Sequence, residues 1–366
     1  MTYLVFIFIV FICYKKYSKG LYTYGVGPLF VLNYRKKFCI IIGMLLTMLL
    51  VLRNDYFGTD TQNYHHLFDT IEIYYDPSFS DVELSSEWGF YTLVNFLKTH
   101  GFDFRILLAI SAVSYIGSVS YLIYKYSENV LFSYFIFFTY NFWIFNTTMR
   151  QCFALTFVIL AVICAINRKI LAYIILITLA ILFHSTAIVC IPIYFALNMK
   201  LNKKSIALFL LVMIAISIMA STIFYTMQEI TGKEYGETAT SGYVRTFIMM
   251  LLLIIGIINR KKLTVLDENW IKLFFVALCL QPIAQFNPAL FRINYYFYFF
   301  IILLAPSLVR KISSEKKVLA SFLIIYGLYV FTLGSYFAGV RTYPYVYVWE
   351  NYFEENPNFK QSDFDY

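Results

Sequence analysis

The sequence predicts an all-α bundle of membrane-spanning helices, and three observations predict it. Of 366 residues, 60% are hydrophobic and only 14% are charged, whereas a water-soluble domain usually carries about 25% charged residues. Apolar runs recur along the whole chain, many approaching the roughly 20 residues that cross the hydrocarbon layer. The basic residues fall in short clusters between those runs, which is the pattern of a topology signal. A net charge of +8 placed this way does not describe a nucleic-acid-binding face, and no nucleic-acid partner is expected.

Apolar runs predict helices at 2–14 (short), 38–52, 105–124, 129–146, 151–166, 205–225, 245–258, 270–286, 288–308 and 318–337. The first lacks a basic leader and a small-residue cleavage site, so a retained helix is expected there. The stretch 169–198 is too long for one comfortable span and short for two. Charge placement decides. If the loop 15–37, with Lys15, Lys16, Lys19, Arg35, Lys36 and Lys37, faces the cytoplasm, alternation puts Lys125, Arg168–Lys169, Arg260–Lys262 and the group Arg310, Lys311, Lys316 and Lys317 on the same side. Lys200, Lys203 and Lys204 join them only if 169–198 crosses twice and turns near His184. This gives about twelve crossings, with both termini and His184 on the outer side.

The segment 54–104 is then an outer loop. It holds Asp55, Asp60, Asp69, Glu72, Asp76, Asp81, Glu83, Glu87 and Asp103 against a single lysine, Lys98. Within it, Phe90, Leu93, Val94 and Leu97 fall on one helical face, predicting a helix lying on the membrane surface. Residues 226–244 form a second outer loop. The expected domains are a membrane domain over 1–340 and a loosely ordered outer tail over 341–366. The six cysteines, at 13, 39, 152, 164, 190 and 279, lie in apolar stretches with no CxxC pair, and read as small apolar helix residues.

Arginine is distributed unevenly. Outside stand Arg53, Arg105, Arg150, Arg245, Arg292 and Arg341, while the inner clusters are mostly lysine. Topology asks only for charge; a planar guanidinium is suited to holding two phosphate oxygens at once. Arg53 ends the second run and precedes Gly58-Thr59-Asp60, where a turn and a helix cap fit, with Tyr64 beyond. It serves either as an interface charge or as a contact to an anionic headgroup, with Asp60 and Tyr64 in a sugar-binding cleft. Glu87 precedes the surface helix, as a cap or as a carboxylate that takes a proton. Trp88 and Tyr91 suit interface anchoring or stacking on a sugar ring. Arg150 opens a helix, against the favourable dipole arrangement. His184 lies in a long uncharged stretch, where an ionisable group is a functional candidate and an imidazole can move a proton near neutral pH. Arg292, near Tyr295, lies just inside an outer helix end. His65 and His66 beside Asp60 and Asp69 invite a metal, but adjacent helical positions point about 100° apart, so no metal is expected. No P-loop or GxSxG pattern is present.

The order Arg53, Gly58-Thr59-Asp60 with Tyr64, Glu87-Trp88-Gly89-Phe90, Arg150, Phe183-His184-Ser185-Thr186-Ala187, then Arg292 with Tyr295 resembles the EpsG family of Wzy-like polymerases of bacterial exopolysaccharide, capsule and O-antigen. It departs in carrying Trp88 where Pro more often follows the Glu. The resemblance covers roughly residues 1–337. It implies a GT-C-like bundle in the bacterial cytoplasmic membrane and a metal-independent glycosyltransferase without a cofactor. A growing glycan would pass from undecaprenyl diphosphate onto a lipid-linked repeat unit at the outer face. Arg53, Arg150 and Arg292 would hold the diphosphate. His184 is the first choice of base, with Asp60 and Glu87 next, and Tyr64, Trp88 and Tyr295 would contact sugar. Membrane lipid, a flippase and a chain-length regulator are the implied partners. Three other classes share features: a lipid-linked oligosaccharide flippase, a glycan ligase and an O-acyltransferase. A flippase favours repeated halves and charges at mid-membrane depth; here there is no repeat, and the unusual charges gather at the outer edge.

Overall fold

A computed structural model describes residues 9–10, 12–17, 29–58, 60–74, 87–142, 148–231, 243–285, 290–311, 316–336 and 345–350. Among them every regular element is helical, apart from one antiparallel bridge between Arg53 and Tyr347. The expected run 2–14 lies largely outside the described residues, as do 75–86, 232–242 and most of the tail.

The chain forms two compact units, one of Met1–Ile159, Leu179–Ser185 and Ser321–Tyr366, the other of Leu160–Thr178 and Thr186–Ala320. In the first, α1 (Leu29–Val51) runs antiparallel to α4 (Phe104–Tyr126). At one end Arg35, buried on α1, donates to the carbonyls of Ile123, Tyr124 and Ser127 at the end of α4. This satisfies acceptors that a helix end leaves without partners. At the other end Arg105 donates to the carbonyl of Arg53 at 2.6 Å. Phe38, Ile42, Leu46 and Leu50 turn inward at helical spacing, while Ile40, Met44 and Met48 stay exposed. An apolar face left open is the expected surface of a helix solvated by lipid. Gly43 sets the close approach to α4: a Cβ there would meet Ser120 Oγ at 2.8 Å.

Between α1 and α4 come α2 (Thr61–Tyr74) and α3 (Trp88–Thr99), which pack on each other. As the spacing predicts, α3 buries Phe90, Val94 and Leu97, with Tyr91 beside them. After α4, Asn129 caps α5 (Val130–Ile136), which continues into a π-helical turn over Phe137–Asn141. The run expected as one helix over 129–146 is therefore a short helix and a wide turn among the described residues. The helix α6 (Met149–Ile166) ends in a Schellman motif. Lys169 N–H bonds the Cys164 carbonyl and Arg168 N–H the Ala165 carbonyl, with Arg168 at φ 59°.

The ambiguous stretch 169–198 breaks at His184. The helix α7 (Ile170–Phe183) stops there, and a 3₁₀ turn over Ser185–Cys190 leads to α8 (Ile193–Asn198). In the second unit the chain then doubles back along its own path. Tyr173 Oη donates to the Cys190 carbonyl at 2.6 Å, and Asn198 reaches the Ala165 carbonyl at 3.3 Å. The turn that the lysine clusters require is present in the fold.

The second unit is organised around α11 (Val265–Ala284). It packs against α8, α9 (Lys203–Thr231), α10 (Tyr243–Ile258), α12 (Phe291–Tyr298) and α13 (Ile301–Lys311). A capping box of Thr264 and Asp267 starts α11. The expected helix 288–308 is in fact α12 and α13, bent by 44°. At the break Phe300, Ile302 and Leu303 each donate to the carbonyl three residues back, and this tightening turns the axis. The last helix, α14 (Lys316–Tyr336), returns the chain to the first unit, where the Leu323 carbonyl accepts from Tyr140 Oη.

Among the described residues, α4, α6 and most of α9 are long and apolar enough to cross a membrane singly, and α12 with α13 adds a bent fourth. The protein is an all-helical membrane protein. The tail corrects one expectation: instead of being wholly loose, residues 345–350 are pinned to the first unit. Asn54 N–H bonds the Val346 carbonyl, Val348 N–H the Leu52 carbonyl, and Tyr345 Oη the Leu49 carbonyl.

Candidate functional site

Three of the residues singled out from the sequence meet in the first unit. Glu87, just before α3, is buried, and both carboxylate oxygens are occupied. His184 Nδ1 lies 2.6 Å from Glu87 Oε1, which also accepts from the Ser185 N–H at 3.0 Å and the Ser185 hydroxyl at 3.3 Å. Arg150 Nη1 donates to Glu87 Oε2 at 2.6 Å. The geometry depends on local sequence. The end of α7 places His184 where the helix has stopped and its backbone is free to turn. Gly89 lets α3 approach α7 closely, since a Cβ there would meet the Leu182 carbonyl oxygen at 3.0 Å.

Burial works against ionising Glu87. The hydrogen bond and charge of His184, the Arg150 guanidinium and the Ser185 N–H outweigh it and bring the carboxyl down to about 2. An ionised carboxylate only accepts hydrogen bonds, so His184 Nδ1 carries a proton toward it. With that proton on Nδ1, the tautomer that acts as a base presents Nε2 as its acceptor. The side chain of His184 is 15% exposed and that of Glu87 6%.

Tyrosines surround Arg150. Tyr91 Oη lies 3.5 Å from its Nη1, and its guanidinium carbon stands 5.8 Å from the centre of the Tyr64 ring. Tyr64 is buried edge-on against Phe90. Burial raises its phenol, Arg150 opposes the rise, and the negative charge of Asp60 adds to it. Asp60, half-buried, stands directly before α2 and its carbonyl accepts from Tyr64 N–H. Trp88 is about half exposed beside Glu87.

Arg53 is 1% exposed. It donates to Thr61 Oγ1 at 3.1 Å, and its backbone pairs with Tyr347. Its neighbour Arg105 forms an ion pair with Asp55 at 2.5 Å, and His65 stands between Asp55 and Asp69 at 3.4 and 3.7 Å. Thr59 lies outside the described residues. Arg292 and Tyr295 sit on α12 in the second unit, Arg292 exposed and Tyr295 buried. Ser185 and the 345–350 segment are the participants that residue-by-residue reading passed over. Ser185 stands next to His184 in the Phe183–Ala187 motif, which by itself gave it no role.

A buried carboxylate joined to an imidazole and a guanidinium sits in an apolar helical unit of this membrane protein. The model of the EpsG family matches residues 36–347, most of the chain, and the chain belongs to that family. The match runs to residue 347 and so takes in the start of the pinned tail segment. The EpsG family is associated with polysaccharide polymerase activity of the glycosyltransferase kind and points to the building of exopolysaccharide. No curated protein and no solved structure matches the chain.

Proposed function

We propose that this protein polymerises a bacterial surface polysaccharide at the outer face of the cytoplasmic membrane, moving a growing glycan from undecaprenyl diphosphate onto a lipid-linked repeat unit. The single observation that carries the reading is the 2.6 Å contact between His184 Nδ1 and Glu87 Oε1. It fixes a tautomer whose Nε2 can take a proton from an acceptor sugar hydroxyl. The hydroxyl oxygen bonds to the anomeric carbon, the bond from that carbon to the diphosphate breaks, and the proton passes to His184. Undecaprenyl diphosphate leaves with the electron pair. Glu87 offsets the positive charge that appears on the imidazole.

Glu87 is a weak base itself, since both oxygens are occupied and its carboxyl is held down at about 2. Asp60 is the second choice of base. Arg150, with a third of its side chain exposed, is the cation offered to the diphosphate, where negative charge grows. Enclosed as it is, Arg53 acts by holding the loop after α1. Trp88 and Tyr64 are the sugar contacts of this unit, and the burial of Tyr295 removes it from that role. The fold proposed around this site is a multi-pass GT-C-like bundle of about twelve crossings, working without a metal beside a flippase and a chain-length regulator.

The test is glycan analysis of cells lacking the protein and complemented with wild type or His184→Ala at matched membrane levels. Deletion is expected to leave single repeat units on the carrier at the outer face, and His184→Ala to restore no long chains. Accumulation of lipid-linked units at the cytoplasmic face would make the protein a transporter. Full chain length with His184→Ala would remove the base.

A further inference from the structure

A groove of about 620 Å³ opens on the first unit between α1 and α4, and it shares no residue with the Glu87 centre. It extends along α1 from Lys36 to Met48, a rise of about 18 Å. One leaflet contributes about half of a hydrocarbon layer roughly 30 Å thick, so the groove has the depth of a single leaflet. Small residues make it. Gly43 draws the helices together, and a Cβ on Gly117 would have no neighbour within 4 Å. Below that open floor the lining is almost entirely apolar.

The two ends differ. At the end where Arg35 locks α1 to the end of α4, Lys36 enters the lining with Tyr121 and Tyr124. Lys37 and Lys125 are exposed at the same end of the helix pair, and Lys125 Nζ stands 3.5 Å from Tyr121 Oη. Among the described residues, no acidic side chain lines the groove. Cations and phenol hydroxyls at headgroup depth, above an apolar channel one leaflet deep, complement an anion carried on a hydrocarbon chain.

We propose that this groove binds one anionic glycerophospholipid, an acyl chain along Gly43 and Gly117 and the phosphate at Lys36 and Lys125. The groove shares no lining residue with Glu87, Arg150 or His184, so the proposal does not depend on the polymerase reading.

Native mass spectrometry of the full chain in mild detergent, titrated with phosphatidylglycerol and with phosphatidylcholine of the same acyl chains, tests it. One phosphatidylglycerol per chain is expected to be retained in preference to phosphatidylcholine. Gly117→Leu fills the open floor and is expected to abolish retention. Lys36→Gln is expected to weaken it about fivefold, and Lys36→Gln with Lys125→Gln roughly twentyfold. Equal retention of the two lipids, or undiminished retention by Gly117→Leu, would overturn the site. If Gly117→Leu does not fold, the exposed lysine pair carries the test, and unchanged affinity in that double variant overturns the site equally. Displacement of phosphatidylglycerol by an equimolar polyprenyl monophosphate would overturn the choice of lipid.

Discussion

Glu87→Gln keeps the shape of the side chain and removes its charge. In the protein one carboxylate oxygen accepts from His184 and Ser185 and the other from Arg150. Glutamine has one acceptor oxygen and a donating amide nitrogen. If its oxygen stays on His184 and Ser185, its nitrogen faces Arg150 Nη1, donor against donor. Hydrogen bonds to charged groups contribute about 1.5–3 kcal/mol, and removing one partner of a buried ion pair costs about 3–5 kcal/mol. Arg150 keeps a third of its side chain in contact with solvent, so the loss falls toward the lower values, about 2–3 kcal/mol. The catalytic loss is larger, because the imidazole keeps its acceptor but loses the negative charge that stabilises its protonated form. A fall in chain elongation of about 10²–10⁴ is expected. Thermal melting of the purified variant and glycan length in complemented cells read the two effects. Wild-type melting together with wild-type chain length would refute the cluster as both a structural and a catalytic unit.

Three further outcomes follow from the geometry. The carboxyl of Glu87 lies at about 2 in the fold against an ordinary 4.5; a lowered carboxyl stabilises above its unfolded value and loses that contribution as pH falls toward the folded one. Stability should therefore decline between pH 4.5 and pH 2, and melting curves of Glu87→Gln should be flatter across that window; identical slopes would argue against the shift. Gly89→Ala puts a Cβ 3.0 Å from the Leu182 carbonyl oxygen, parts α3 from α7, and should cost about 1–3 kcal/mol in melting along with most elongation. Arg168→Gly relieves a left-handed residue at φ 59° and should raise stability by roughly 0.5–1 kcal/mol; a lower melting temperature would show that the arginine side chain contributes more than its backbone costs.

Much of the fold is legible in the sequence because lipid solvation leaves a coarse mark. The apolar runs locate α4, α6 and α9, and the lysines at 200, 203 and 204 demand the reversal that the structure places after Phe183. The kink between α12 and α13 leaves no such mark, since a continuous apolar run looks the same straight or bent. At the site, Glu87, Arg150 and His184 each stand out as ionisable groups in or beside apolar sequence. Their meeting does not, because the contacts join residues 63 and 97 positions apart. Arg53 was legible as a cation at a membrane edge. Its enclosure was not, because one part of it, the segment around Tyr347, comes from a distant part of the sequence. That segment is rich in tyrosine and tryptophan, an interface composition, and nothing in it announces a pairing partner.

The pairing of 345–350 with the residues after α1 changes how genetic lesions in this gene should be interpreted. A stop codon in place of Tyr345 leaves α1 to α14 in the chain, and the truncated chain would still insert in the membrane. It would nonetheless lose the backbone partner of Asn54 and Leu52 and the phenol on Leu49, loosening the loop that carries Arg53 and leads into α2. Such an allele would behave as a loss of function with normal membrane abundance.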